Sequence, residues 1–150
     1  MSKKSLILIV ALIAVLIQSC NFPHVKLREI KYNPEMQDVI DKYVKDLEPE
    51  QFQISPSWFG VDTVITHVVT INVVNAKNMP EADDLIGELA IKIASDVYAQ
   101  IINKDDYSKI DVILLNQSGS VVVLKKQKNY RFSYEDIEQF TNNRKNDSEN

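Results

Sequence analysis

The sequence contains little cysteine, histidine or glycine. One cysteine in 150 residues excludes an internal disulfide, and two histidines without a second cysteine exclude a zinc site built from cysteine and histidine. Three glycines cannot form the glycine-rich loops that bind phosphate groups. Five prolines are too few for a collagen-like or low-complexity chain. The sequence therefore predicts no metal and no cofactor.

Positive charge is also scarce, with 17 basic residues against 21 acidic ones. Lys3 and Lys4 lie at the N-terminus, and without them the rest of the chain carries a net charge of −6. Binding of nucleic acid depends on a basic surface that neutralises phosphates. Nucleic acid is therefore not expected as a partner. The apolar fraction, 45%, is that of an ordinary globular domain.

One long apolar run is present, near the N-terminus. Residues 6–17 are 12 consecutive apolar residues after a short basic start. A helix of this length covers about 18 Å, which is short of the roughly 30 Å hydrocarbon core of a bilayer. It also lacks the polar face of a helix that packs on a domain. The run is typical of a signal peptide, and residues 1–19 are predicted to be one.

Ile17, Gln18, Ser19 and Cys20 follow this run. They resemble the lipobox of bacterial lipoproteins, which has an aliphatic residue three positions before the cysteine and a small residue directly before it. The resemblance covers residues 1–20 and says nothing of the domain that follows. Ile17 and Gln18 are not the commonest residues at their positions. The resemblance implies diacylglyceryl transfer to the thiol of Cys20 and cleavage after Ser19.

Cys20 is then expected to be an anchor and not a catalyst, with membrane lipid as its partner. Two or three acyl chains give stable attachment, whereas one chain gives only reversible binding. Asn21, and not aspartate, follows the cysteine, and in enterobacterial lipoproteins this implies transport to the outer membrane. The expected location is the bacterial cell envelope, anchored by lipid, with the outer membrane favoured.

Residues 20–33 are predicted to be the lipidated cysteine and a tether, in which residues 25–30 are a candidate edge strand. Asn33 and Pro34 are expected to begin a helix that continues to Leu47, because apolar residues recur there at helical spacing. Residues 50–60 are predicted to be a connection. Residues 61–75, rich in Val, Ile and Thr, are predicted to form one long strand with a bend or bulge.

A second amphipathic helix is predicted after Pro80, followed by a hairpin of residues 110–115 and 121–124. Ser133 is expected to cap a last helix, and residues 141–150 are expected to be a frayed polar tail. These elements predict one α+β domain over residues 34–140. It has two layers, with helices on one face of a small mixed sheet. The sheet has three strands, or four if residues 25–30 join it. Strands 61–75 and 110–115 are expected to run parallel.

His67 is the sole candidate for catalysis. It lies in the predicted strand on the same side as Ile65 and Val69, so it is either a satisfied core residue or a residue lining a pocket. His24 falls in the tether and is expected to be exposed. Two acidic pairs, Asp83–Asp84 and Asp105–Asp106, are expected to lie at a helix start and in a loop, because neither has the spacing of a calcium loop.

Trp58 and Phe59 have two interpretations, an exposed aromatic contact for a sugar, peptide or protein, and a cover for the sheet edge. A basic run either protects an edge strand from pairing or contacts lipid headgroups or a polyanion; it comprises Lys125, Lys126, Lys128 and Arg131. The sequence thus predicts a lipid-anchored, non-enzymatic binding or assembly module of the envelope. Its partner would be an envelope protein or a small ligand, and the alternative is an envelope hydrolase that uses His67 with a nearby acid or hydroxyl.

Overall fold

A computed structural model of the chain describes residues 25–61, 64–118 and 123–148. Within these ranges there are three α-helices and a four-stranded mixed sheet, which confirms the α+β class. The sheet has one strand more than the predicted three. In chain order the elements are α1 (Met36–Leu47), β1 (Gln51–Val61), β2 (Val64–Val74), α2 (Asp83–Gln100), β3 (Lys109–Ser118), β4 (Val123–Ser133) and α3 (Tyr134–Ser148).

The strands lie side by side in the order β1-β2-β3-β4. The central pair, β2 and β3, is parallel, as the single intervening helix predicts, and α2 makes the crossover. Both outer pairs, β1 with β2 and β3 with β4, are antiparallel hairpins.

The fourth strand comes from a segment that the sequence predicted to be a connection. Residues 51–61 pair with β2 along their whole length, from Gln51 opposite Val74 to Val61 opposite Val64. The strand predicted over residues 61–75 is present as β2, but its predicted start was wrong, because Val61 ends β1 and β2 begins at Val64. The predicted bulge was also misplaced, since the register shift among the described residues lies between Asn116 and Gln117.

The N-terminal residues do not form the candidate edge strand. The chain from residue 25 to 31 is irregular, and Tyr32 makes an isolated bridge to Ile101. Residues 28–33 are nevertheless fastened to the domain. The amide of Ile102 donates to the carbonyl of Lys31 at 2.8 Å, and the amide of Asn33 donates to the carbonyl of Gln100 at 2.9 Å. The second half of the predicted tether is therefore part of the domain.

One hydrophobic core lies between the sheet and the helices. Alternate residues of β2 point into it, and Val69, Ile71 and Val73 are fully buried. α2 is the principal core helix, as predicted, and its side chains with no exposed surface are Ala90, Ile93, Ala94 and Val97. Full burial of an aliphatic side chain contributes about 1.5–3 kcal/mol, so this layer contact dominates the stability of the fold.

The helix ends follow the sequence signals only in part. The side chain of Asn33 does not cap α1; its carbonyl accepts the amide of Met36 at 3.1 Å in the turn before the helix. The cap of α3 is as predicted, with the amide of Asp136 donating to Ser133 Oγ at 3.2 Å. α3 then continues to Ser148, through residues that the sequence predicted to be frayed.

Candidate functional site

An apolar cavity of about 340 Å³ lies where β2 and β3 end and α2 begins. Parallel strands finish at the same edge of a sheet, so the loop after β2 and the end of β3 form two of its walls. Ligand pockets in proteins measure about 300–1,000 Å³ and have mostly apolar walls. The apolar lining residues are Ala76, Met79, Pro80, Ile86, Leu114 and Leu115. We call this end of the domain the cavity end.

Lys128 supplies the positive charge of this cavity. It lies opposite Leu114 in the sheet, on the inward side of β4, and its side chain is only 19% exposed. Its ammonium group pairs with the carboxylate of Asp83, in the first turn of α2, which is 79% exposed. Because an ammonium group has three N–H donors, Lys128 can donate to a further group in the cavity beside the carboxylate of Asp83.

A larger groove, of about 610 Å³, lies between α2 and α3. Its polar groups bind one another, since Tyr98 donates to Glu138 at 3.1 Å and the hydroxyls of Ser95 and Thr141 lie 2.8 Å apart. Burial raises the pKa of Tyr98, and the hydrogen bond to Glu138 raises it further. These polar contacts hold α2 and α3 together. We therefore take the smaller apolar cavity as the candidate site.

The structure separates the two aromatic residues that the sequence singled out. Trp58 and Phe59 are consecutive in β1, so their side chains point to opposite faces of the sheet. Trp58 pairs with His67 and is 37% exposed. Phe59 lies on the face of the sheet away from the core, where the guanidinium of Arg131 lies 4.1 Å from the centre of its ring. Phe59 therefore covers the sheet, and Trp58 remains on the surface.

These aromatic residues belong to a β-hairpin that projects from the sheet. β3 begins opposite Val68, so the residues of β2 before that point have no partner in β3. We call Trp58–Val61 together with Val64–His67 the arm. At its tip Val64 is 71% exposed, and Ile65 is 37% exposed. The arm leaves the sheet at the end opposite the cavity.

The N-terminal chain enters the domain at this same end. Arg28 Nη1 lies 2.5 Å from Asp106 Oδ1, and the hydroxyl of Tyr107 donates to the carbonyl of Arg28 at 2.6 Å. Asn103 Nδ2 donates to the carbonyl of Glu29 at 3.0 Å. These residues precede β3, whose first residue lies level with Val68. We call this the entry end, formed by residues 27–31, residues 101–108 and the arm.

His67 lies at the base of the arm. Its backbone carbonyl accepts the amide of Ser108 at 3.1 Å. Its ring nitrogen Nδ1 is buried and has no hydrogen-bond partner within the described part of the chain. His67 is not among the residues that line the cavity, so the structure does not bring the candidate catalytic residue and the candidate site together.

The two acidic pairs that the sequence singled out lie at the start of a helix and in a short turn. Asp83 and Asp84 lie in the first turn of α2, and Asp105 and Asp106 lie in a short 3₁₀ turn, Lys104–Asp106. A hydrogen bond from Asn103, together with the pairing to Arg28, holds the pKa of Asp106 below its usual range. Across residues 25–61, 64–118 and 123–148 no group of acidic, histidine or cysteine side chains is arranged to hold a metal ion.

Two parts of the sequence prediction lie outside the described residues. These are the signal peptide with its lipobox, Ile17, Gln18, Ser19 and Cys20, and the tether residue His24.

The predicted basic run lies in β4. The backbone of Lys125 and Lys126 belongs to this strand, and Arg131 makes two hydrogen bonds of 2.7 Å to Asp111. Among the helices that the structure describes, none is long and apolar enough to cross a membrane.

Sequence reasoning missed the cavity. Its walls come from the loop after β2, the first turns of α2 and the end of β3, which are distant in the chain and meet only in the fold. Lys128 was identified, as part of a basic run on an edge strand, but its inward position depends on the register of β4 against β3. The register shift after Asn116 makes that position unreadable from the hairpin turn alone.

Comparison with known proteins returned no match: no family model, no curated protein and no solved structure is significantly similar to this chain.

Proposed function

We propose that this protein is a lipid-anchored lipoprotein of the bacterial cell envelope, favouring the outer membrane, and that its domain is a non-enzymatic binding or assembly module. The anchoring part is supported by the lipobox-like residues that end at Cys20. The binding part is supported by one observation, the apolar cavity with Lys128 in its wall. The occupant that this chemistry favours is an apolar side chain of an envelope protein, with a neighbouring carbonyl or carboxylate that accepts from Lys128.

The position of the cavity suits an anchored module. The chain enters at Arg28, at the opposite end of the parallel strands from the cavity. A tether at one end leaves the other end open to a partner in the envelope. Lys128 gives such a site selectivity, because a half-buried ammonium group favours an occupant that accepts a hydrogen bond from it.

Site-specific cross-linking in living cells tests the binding proposal. A photoreactive residue replaces Glu81, at the exposed rim of the cavity, in the full-length protein. The matched control places the same residue at Glu35, an exposed site before α1. We expect a defined adduct from position 81 and none from position 35.

A second variant connects the adduct to the cavity itself. Ala76→Phe fills the space that the occupant would need, and we expect it to abolish the adduct from position 81. Lys128→Met should weaken the adduct, whereas Lys77→Met, at a lysine that pairs with Glu48 outside the cavity, should not. An adduct that survives Ala76→Phe, or that forms equally from position 35, would show that the cavity is not the binding site.

The alternative function is an envelope hydrolase that uses His67. One observation favours it, the buried Nδ1 without a partner among the described residues. A histidine base needs a group that orients its ring and a hydroxyl or water to activate, and Nδ1 bonds to neither among the described residues. Complementation of a deletion strain separates the two functions. A hydrolase loses its function in His67→Gln and keeps it in Ala76→Phe, and we expect the reverse.

A further inference from the structure

Exposed apolar side chains are concentrated at the entry end of the domain. The described residues include seven large apolar side chains that are between 37% and 71% exposed. Two of them, Val44 and Leu85, lie on the outer surfaces of α1 and α2. The other five lie at the entry end: Leu27, Trp58, Val64, Ile65 and Ile102. Scattered apolar residues need no explanation, but their concentration at one end marks a contact surface.

The charges of the entry end balance. Its basic residues, Arg28, Lys31 and Lys104, are matched in number by Glu29, Asp105 and Asp106, and Arg28 pairs directly with Asp106. Lys109 Nζ lies 5.6 Å from the centre of the Phe59 ring, behind the arm. A surface without net charge has little attraction to anionic lipid headgroups. The apolar side chains, and not net charge, therefore determine which partner fits this end.

The chain before Arg28 limits how far this end can lie from an anchor at Cys20. Eight residue steps separate Cys20 from Arg28, and an extended chain spans at most about 3.6 Å per residue, so the reach is at most about 29 Å. A domain of this size has a radius of gyration of about 14 Å. An acylated Cys20 therefore holds the entry end within about one domain diameter of the bilayer, and the fastening of residues 28–33 points that end towards it.

Trp58 and the tip of the arm have the chemistry of a membrane interface. Tryptophan is enriched where lipid headgroups meet the hydrocarbon, because its ring is apolar and its N–H needs a polar partner. Val64 and Ile65 lie further out on the same hairpin, with Ile65 on the face of the sheet that carries Trp58. We propose that the entry end rests on the bilayer surface, with Trp58, Val64 and Ile65 of the arm in the lipid interface.

This inference rests on the proposed lipid anchor, and the experiment tests the two separately. Trp58 is the single tryptophan of the chain, so its fluorescence reports on the arm alone. The full-length protein is purified from membranes and placed in vesicles of phosphatidylcholine, with or without bromine on the acyl chains. Its mass shows whether Cys20 is acylated. We expect acylated protein in which brominated lipid quenches Trp58.

Variants show which side chains hold the arm in the lipid. Val64→Ser with Ile65→Ser should lower the equilibrium constant for arm insertion about tenfold, because two aliphatic side chains no longer gain by leaving water. Val44→Ser with Leu85→Ser removes two apolar side chains of the helices that are 42% and 49% exposed, and it should leave the quenching unchanged. High salt should also leave the quenching unchanged, because the entry end carries no net charge.

The possible contrary results distinguish a failure of the membrane contact from a failure of the lipid anchor. Acylated protein whose Trp58 is not quenched overturns the membrane contact and leaves the anchor intact. A photoreactive residue at position 65 that captures a protein while Trp58 stays unquenched shows that the arm binds a protein, and the inference is then wrong. Unacylated protein contradicts the proposed anchor, and quenching that still depends on Val64 and Ile65 would then support the membrane contact alone.

Discussion

The hydroxyl of Tyr107 donates a 2.6 Å hydrogen bond to the carbonyl oxygen of Arg28, more than seventy positions away in the chain. Tyr107 is buried directly before β3, so this bond fixes residue 28 at the edge of the core. Asp106 binds the guanidinium of Arg28 beside it. The point at which the N-terminal chain joins the domain is therefore set by the fold.

We expect Tyr107→Phe to release residues 28–31 while the sheet stays folded. The loss of one neutral hydrogen bond at a partly solvated carbonyl costs about 1 kcal/mol. Trypsin should then cleave faster after Arg28 and Lys31, with an unchanged circular dichroism spectrum. Tyr130→Phe, in β4, is the control, and equal acceleration in both variants would contradict this role of Tyr107.

The hydrogen bonds that cap α3 should make the stability of the fold depend on pH. Hydrogen bonds from the hydroxyl and amide of Ser133 hold the pKa of Asp136 below its usual range. A carboxyl whose pKa is lower in the folded state stabilises the fold above its unfolded pKa, and this contribution is lost as pH falls through the folded pKa. Ser133→Ala should raise the pKa of Asp136 towards its ordinary value and make the fold less sensitive to acid.

NMR titration of the side-chain carboxyls checks this prediction, with urea unfolding at neutral and acidic pH. Asp106 serves as an internal reference in the same spectra, because its pKa is lowered by Asn103 and Arg28 and not by Ser133. An unchanged pKa for Asp136 in Ser133→Ala would show that the cap does not cause the shift.

Gly60 should be intolerant of any side chain. Its φ is 154°, and the carbonyl oxygen of Val64 occupies the space where a β-carbon would stand. We expect Gly60→Ala to distort the arm at a cost of about 1–3 kcal/mol. The emission of Trp58 should shift, while the near-ultraviolet signal of the core tyrosines is kept. A variant with wild-type stability and emission would mean that the arm pairs differently.

Truncation of a side chain in the middle of β2 should cost far more stability than truncation at its start. Ile71 is fully buried between the sheet and α2, so Ile71→Ala should lower the free energy of unfolding by about 2–5 kcal/mol. Val64 is 71% exposed, and Val64→Ala should change it by less than about 0.5 kcal/mol. Urea unfolding measures both, and similar losses would contradict the assigned burial of β2.

Periodicity predicted the helices better than the strands. The stripe that ends at Leu47 and the broad one after Pro80 each gave a helix within a few residues of its observed bounds. β1 was missed although Phe52, Ile54 and Trp58 alternate with polar residues, because Pro56 argues against a strand. An edge strand tolerates proline, since one side of its backbone needs no partner. Pro56 is compatible with a strand only because β1 lies at the edge of the sheet, and a single sequence does not show which strand is at the edge.

The candidate site was the least predictable part. The sequence identified Trp58 as an aromatic residue of a predicted connection and His67 by strand alternation. It could not show that Trp58 remains on the surface while Phe59 lies against Arg131. The cavity required the parallel pairing of β2 with β3 and the register of Lys128, both of which depend on contacts between distant segments. Local patterns carry information about local structure, and this site is formed by tertiary contacts.

The proposed function depends most on the anchor at Cys20. Metabolic labelling with radioactive palmitate, followed by N-terminal mass analysis, measures it directly in the wild-type protein and in Cys20→Ala. We predict that label enters the wild-type chain, that its mature form begins at Cys20, and that Cys20→Ala takes up none. A wild-type protein that keeps residues 1–19 and incorporates no palmitate would contradict the account.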